Sequence, residues 1–444
     1  MQYDLLIIGA GPGGYVAAIR AGQLGLKTGL IESSDVGGMC LNWGCIPTKA
    51  LLESAKRLHA VKAAAELGID GIEPDKLSFN WRAAVDRSER IVKRLTKGIE
   101  FLFRRNGVTV IHGTAAINTD KTVSVDNVRY SAPHIIIATG SRPMAIKDGQ
   151  LPVSPDRIIE SRDLLTMEAL PERVTIWGSG PHAVELAQFL ALVGKHTALV
   201  TSEPTLIPRT GPFLSDYALK ILKKAGVSVR LSGEFNGLEA GEVLINASGR
   251  TAIVPESAVP LETKDGFIKV NDAMETSVPN IYAVGDVNGR CMFAHSASAQ
   301  GTYAVNRIKG LNPDALFEAR KCPINIYTYP EIAQVGMTEP ELDALGIAYK
   351  LGEFPLAANG KALIEGEAEG VVRVLAEKKY GQVLGVQIVA LHATDMMAEA
   401  SLLMQMEGTV FDVASTVHAH PTLSEVLLEA GLNAAYSIDE AHKL

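Results

Sequence analysis

The clearest signal along this chain is an unalternated apolar run, Leu5 to Ile8, the pattern of a strand covered on both faces. A glycine-rich turn follows, then a helix with a small-residue face, then a second strand ending at Glu32. The stretch YDLLIIGAGPGGYVAAIRAGQLGLKTGLIE therefore predicts a βαβ unit. The same arrangement returns 169 residues later as RVTIWGSGPHAVELAQFLALVGKHTALVTSE. Two further apolar strands end in small residues, HIIIATGSRP (134–143) and NIYAVGDV (280–287), and are placed to complete the first unit's sheet around an inserted second one. After Lys321 the pattern changes. GVVRVLAEKKYGQVLGVQIVA predicts a hairpin about Tyr380-Gly381, followed by helices from Thr394 to Gly408 and from Thr422 onward. The basic stretch DRSERIVKRLTKGIEFLFRRNG predicts an amphipathic helix with a solvated charged face, and Met396, Met397, Met404 and Met406 predict helix core.

These elements predict an α/β chain with two Rossmann-like nucleotide-binding domains and a C-terminal α+β domain. The expected boundaries are 1–146 and 263–320 for a split first domain, 147–262 for the inserted second, and 321–444 for the third. A length of 444 residues exceeds one hydrophobic core. The net charge of −8 speaks against a nucleic-acid surface, and no apolar run reaches the length of a membrane span. The N-terminus enters a strand directly, without a basic segment or cleavage site, so a reducing cytoplasmic setting is expected.

The chemistry begins at the glycines. Gly9, Gly11 and Gly14 satisfy G-x-G-x-x-G: the first for the tight turn, the second for close approach of a pyrophosphate, the third for helix–sheet packing. Glu32 stands 23 residues after Gly9, in place to accept hydrogen bonds from a ribose. In the second unit Gly178 and Gly180 repeat the turn, with Ala183 in the third place and Pro181 in the first helical turn, where its missing N–H costs little. The 23-residue offset falls on Thr201 rather than an acid; Glu203 is two residues late, and no arginine stands there to read a 2′-phosphate. The second site is expected to take a nicotinamide dinucleotide whose adenosine half is recognised unusually.

Cys40 and Cys45 lie in GGMCLNWGCIPTK; the other cysteines, Cys291 and Cys322, stand alone in sequence. Zinc asks for four ligands, and Cys-x4-Cys has no matching second pair. A staple across so small a loop removes little chain entropy. Buried thiols and a redox couple both remain open on the residues alone. Residues five apart on a regular helix point to different sides, so pairing these two needs a distorted first turn or a loop entry, for which Gly44 and Pro47 are suited. His418 and His420 alternate on an extended segment, but no third metal ligand is evident, and no metal is expected. Histidine is the side chain best suited to move a proton near neutral pH.

GGMCLNWGCIPTKALL resembles the redox motif of the flavoprotein disulfide reductases, and ATGSRP, TSVPNIYAVGDV and HAHPTLSE fit that family in order, so the resemblance covers essentially the whole chain. It implies FAD in the first site and NAD in the second. It further implies a Cys40–Cys45 redox disulfide in which Cys45 faces the flavin and Cys40 exchanges with a dithiol. Lys49 and Glu185 are implied to pair near the flavin's reactive edge. Asp286 is implied to bond the ribityl or phosphate region, and Gly113, Thr139, Gly140 and Ala294 to line the flavin with backbone. Gly249, before Arg250, belongs with the second site. His420 is implied to be a base reaching the other subunit's disulfide in a homodimer. Glu425 orients it in preference to serving as the acid of a capping box begun by Thr422. YTYPEIAQVGMTEPE and FPLAANGKAL are similar to the branch that oxidises dihydrolipoyl groups on a carrier protein or complex, with NAD as acceptor.

Two other readings stand beside this one: a reductase of another disulfide or with a non-NAD electron partner, and a flavin-binding redox sensor or assembly protein of low turnover. Thr201, Pro181, His182 and the short 226–249 segment all depart from the family in the second unit. Weaker or differently selective pyridine-nucleotide binding is therefore expected. Ordinary tight NADH affinity that Thr201→Glu fails to improve would overturn that expectation, and equilibrium fluorescence titration reads both.

Overall fold

The computed structural model describes residues 1–146, 151–311 and 317–438. Leu5–Ile8 is the third strand of a five-stranded parallel sheet, ordered Ile281–Ala283, His134–Ile137, Leu5–Ile8, Thr28–Glu32, Thr109–His112. All four of its residues are buried, as the unalternated run requires of a sheet covered on both faces. The strands at 134 and 281 do flank the first unit, so the chain leaves this sheet and returns to it. Departure and return are paired: Ser141–Pro143 runs antiparallel to Arg250–Ala252.

Between them lies a second parallel sheet, ordered Ser228–Arg230, His196–Val200, Arg173–Trp177, Glu242–Asn246, Ile158–Ile159. The expected division at 146/147 falls at the edge of the described residues. The third sheet is antiparallel, ordered Ile324–Ile326, Glu331–Gly336, Val383–Ala390, Val371–Glu377, Tyr349–Pro355. Its central pair is the hairpin about Tyr380-Gly381, and Gly381 takes the left-handed φ of 73° that such a turn favours. The basic stretch lies in a helix, Trp81–Arg105, capped by Asn80, whose side chain accepts from the Ala83 N–H.

Two details differ from the sequence pattern. Met396 and Met397 are core, but Met404 is only partly buried and Met406 is exposed, because helix Ala393–Gln405 ends before it. The last helix begins at Glu425 rather than Thr422, and runs to Tyr436. Thr422 donates its hydroxyl to the Ala419 carbonyl, 2.7 Å away, and the N-cap position falls to Ser424.

A polar clamp inside the third body also reaches the second. Arg373, buried in the third sheet, forks onto Glu339 at 2.9 and 3.1 Å, reaches Glu353 at 3.0 Å, and lies over the Phe213 ring of helix Gly211–Lys224. Helix Glu425–Tyr436 seats on strand Tyr349–Pro355 at Gly352, where any Cβ would overlap the Ala430 carbonyl and the Ala434 N–H. Gly352→Ala is expected to push that helix off its strand, at a cost of about 1–3 kcal/mol of overpacking. A thermal midpoint unchanged from the parent protein would contradict this seating.

Candidate active site

Cys40 lies in the middle of one short helix and Cys45 starts another. Gly38–Asn42 stops at Trp43, Gly44 follows, and Cys45–Lys62 begins. The break does what a regular helix could not: it folds the two cysteines back on each other, Cα to Cα 4.6 Å, joined as a disulfide. Gly44 is required by space rather than by torsion. A Cβ there would overlap the Met39 side chain and crowd the Met39 carbonyl. Cys45 is the first residue of an 18-residue helix with no acid in its first turn, so its sulfur lies at the positive end of the helix dipole.

One turn on, Lys49 Nζ meets Glu185 Oε2 at 2.7 Å. The Glu185 side chain is 2% exposed and that of Lys49 31%. Glu185 is therefore not the solvent-facing helix residue that its sequence position alone would allow. Its second oxygen accepts from the Tyr327 N–H at 2.9 Å, and the ammonium lies 4.7 Å from the centre of the Tyr327 ring. Gln188, one turn along, donates to the Tyr329 carbonyl and accepts from the Tyr329 N–H. Beside this group, burial pushes His182 down to about 4; Glu185 opposes the shift while Lys49 and Arg250 add to it, so the imidazole is neutral at physiological pH.

The first glycine turn fits a dinucleotide. Gly9 has φ of 103°, and a Cβ on Gly14 would overlap the Gly9 carbonyl, so helix and turn touch through backbone alone. Gly11 is open: its nearest neighbour to an added Cβ would be Gly38 Cα at 4.0 Å. Helix Pro12–Gln23 has no side-chain cap and no acid in its first turn, leaving its N–H groups for a phosphate. Glu32 accepts from the Ala10 N–H at 2.6 Å, which sets its carboxylate against the turn. Around this mouth, Gly113 (φ 136°) donates to the Glu32 carbonyl, Gly140 accepts from the Ile253 N–H, and Thr139 Oγ1 bonds the Ile253 carbonyl. Ala294 opens helix Ala294–Ile308, also without a side-chain cap. Asp286 sits on the turn Gly285–Asn288, which Gln300 of that helix holds by accepting from Gly285 N and Asn288 Nδ2, both at 2.8 Å. Its carboxylate takes the Ser141 hydroxyl at 2.5 Å and lies 3.8 Å from Arg250.

The second turn fits a pyrophosphate equally well. Gly178 has φ of 150°, a Cβ on Gly180 would meet nothing, Ala183 is fully buried against its sheet, and helix Pro181–Leu192 is uncapped with no acid in its first turn. Gly249 accepts from the Met144 N–H where the chain returns to the first sheet. Register decides the ribose position. Ile8 pairs with Ile31 in the first sheet and Trp177 with Val200 in the second, so Thr201 occupies the place of Glu32. It is buried, and its hydroxyl accepts from the Glu203 N–H at 3.1 Å.

His420 Nδ1 and Glu425 Oε1 are 2.8 Å apart, and Glu425 Oε2 accepts from the Thr422 N–H at 2.7 Å. The carboxylate thus holds the histidine with one oxygen and reaches back to Thr422 with the other, but no capping box forms, because the helix starts at Glu425 itself. Those bonds, the Thr422 N–H first and His420 second, hold the Glu425 carboxyl below its ordinary range. The His420 side chain is 79% exposed. Among the described residues no hydrogen bond or ion pair joins His420–Glu425 to Lys49–Glu185. His418 is spent on Glu399 at 2.8 Å, and no metal-ligating group of three or more is present among the described residues. No helix there is long and apolar enough to cross a membrane. Sequence reasoning missed Tyr327, Gln188, Ser141 and the contacts of Arg250; YTYPE entered it only as part of a family resemblance.

The chain matches known protein families in two stretches. Residues 3–301 match the family model Pyridine nucleotide-disulphide oxidoreductase, and residues 322–431 match that family's dimerisation domain. The chain is similar to the dihydrolipoyl dehydrogenase of Thermus scotoductus, 37% identical with 96% of each chain covered. It is also similar to that of Bacillus subtilis, 34% identical with 98% of each covered. The fold is shared with the crystal structure of LpdA from Mycobacterium tuberculosis at a TM-score of 0.86 and 23% identity, covering 97% of this chain and 99% of that one. With both of its parts matched in order, this chain belongs to the pyridine nucleotide-disulphide oxidoreductases.

Proposed function

We propose that the protein oxidises dihydrolipoyl groups to the lipoyl disulfide, with FAD at the Gly9–Gly14 turn and NAD at the Gly178–Ala183 turn as electron acceptor. The observation that carries this reading is the disulfide held at a helix start, one turn from a buried Lys49–Glu185 pair. The naming of the relatives supports the substrate class. FAD, when bound, supplies the two-electron chemistry between the dithiol pair and NAD.

The chain's own residues handle protons and sulfur. With Glu425 accepting from Nδ1–H, the His420 Nε2 lone pair is free to take a proton from a substrate thiol. The resulting thiolate attacks Cys40 Sγ, the Cys40–Cys45 bond breaks, and Cys45 leaves as a thiolate at its helix N-terminus. The second substrate thiol then displaces Cys40, which takes the remaining proton, and the lipoyl disulfide departs. The exposure of His420 suits a homodimer joined through 322–431, in which it serves the cysteine pair of the other copy. The partner is a lipoyl-bearing carrier protein or complex. A second reading, a different electron partner, draws on one feature: Thr201 at the ribose position, its hydroxyl already engaged.

His420→Gln is expected to lower kcat for dithiol oxidation by about 10²- to 10⁴-fold, the usual contribution of a general base. NADH-driven reduction of an artificial acceptor, which needs no base for a thiol, should survive. Unchanged dithiol oxidation would overturn the proton assignment. Lys49→Met leaves the Glu185 carboxylate buried with one N–H partner, and should cost about 1–3 kcal/mol of stability. It should also slow the NAD-dependent step more than thiol exchange at Cys40. Rapid-reaction kinetics separate the two steps, and equal effects on both would contradict the placement.

A further inference from the structure

Cys291 and Cys322 stand 31 residues apart and look isolated in the sequence. The fold sets their side chains beside one another. Cys291 is buried in the loop ahead of helix Ala294–Ile308, and Cys322 is partly exposed where the short turn Ala319–Lys321 leads into the third sheet. A second contact pins the same two segments together: His295 Nε2 lies 2.7 Å from the Pro323 carbonyl oxygen. The surroundings are polar and built. Ser296, fully buried and held by Gln300 at 3.1 Å, lies beside both cysteines. Arg209, from the turn Pro208–Thr210 of the inserted unit, reaches Cys291. Three parts of the chain therefore converge on one pair of sulfurs.

Buried cysteines in apolar surroundings are inert, whereas a thiol beside a cation and a second thiol is not. The neighbouring Cys322 thiol is the largest influence holding the Cys291 thiol below its ordinary value; burial opposes it, and Ser296 and Arg209 assist. The same contact raises Cys322, so Cys291 gives up its proton more readily than Cys322 does.

We propose that Cys291 and Cys322 are a second thiol–disulfide couple, distinct from Cys40–Cys45, which a peroxide-class oxidant closes across the junction of the three parts. The thiolate of the pair takes one oxygen from the peroxide, the O–O bond breaks, and the other oxygen leaves as water or alcohol with a proton from solvent. The neighbouring thiol then attacks the sulfenic sulfur. An S–S bond forms, the S–O bond breaks, and a second water carries away the thiol proton. Both sulfurs are oxidised by one electron each and the peroxide is reduced by two. Closure ties helix Ala294–Ile308 to the start of the third sheet and constrains the unfolded chain.

The test uses the FAD-loaded protein, reduced, freed of reductant, treated with a small excess of hydrogen peroxide, alkylated and digested without reductant. Mass spectrometry should find a peptide joining Cys291 to Cys322 within one chain, reversed by dithiothreitol. The oxidised protein should melt at a higher temperature than the reduced one, and Cys322→Ser should lose both effects while still closing Cys40–Cys45. Arg209→Gln should slow formation of the linked peptide. The proposal fails if Cys291 and Cys322 both remain alkylatable after peroxide has closed Cys40–Cys45, or if they are linked only between different chains.

Discussion

One buried carboxylate organises this molecule. Glu185 projects from the helix of the second glycine turn, receives the Lys49 ammonium from the cysteine helix, and receives the Tyr327 N–H from the strand region that opens the third sheet. A carboxylate with 2% of its side chain exposed is costly to bury unless both oxygens are satisfied, and here each has a partner from a different part of the chain. Gln188 repeats the device one turn later on Tyr329. Apolar contact alone would let these surfaces slide. Leu51, Leu52 and Ala55 of the cysteine helix share a core with Val184, Leu186 and Phe189, and the polar links fix the register of that contact. The cysteine pair, one turn before Lys49, inherits its position from this arrangement.

The second organising constraint is backbone contact where no side chain fits. Gly14 against Gly9, Gly44 against Met39 and Gly352 against Ala430 each close a gap that a methyl group would hold open. The first sets the nucleotide turn, the second lets two short helices present Cys40 and Cys45 to one another, and the third seats the helix that carries Glu425. The geometry of the candidate site therefore rests on a few close approaches and one ion pair rather than on a single continuous core.

Much of this was legible in the residues, because local patterns carry it. The βαβ repeats, the paired strands at 134 and 281, the hairpin at Tyr380-Gly381 and the glycine turns all follow from periodicity and torsional demand over short spans. Even the break between the cysteines could be inferred, since residues five apart cannot meet on an intact helix. What could not be read were contacts whose sequence separation is large: Glu185 with Tyr327, Ser141 with Asp286, Cys291 with Cys322. Nothing local in a chain encodes which distant backbone N–H a buried acid will find. The Met406 expectation failed for a related reason, since helical spacing says which face a residue takes but not where the helix stops. Thr201 is the opposite case: its place was guessed from an offset, and strand register makes it the counterpart of Glu32.

The central claim is that electrons from a dithiol pass through Cys40–Cys45 to a flavin and on to a pyridine nucleotide. An anaerobic titration of the FAD-loaded protein with dihydrolipoamide, followed by NADH on a fresh sample, tests it in one visible absorbance series. The account predicts a long-wavelength band from a thiolate beside the flavin with either reductant, at higher concentration for NADH, and its loss in Cys45→Ser. A flavin that dihydrolipoamide leaves unchanged, with no such band, would contradict it.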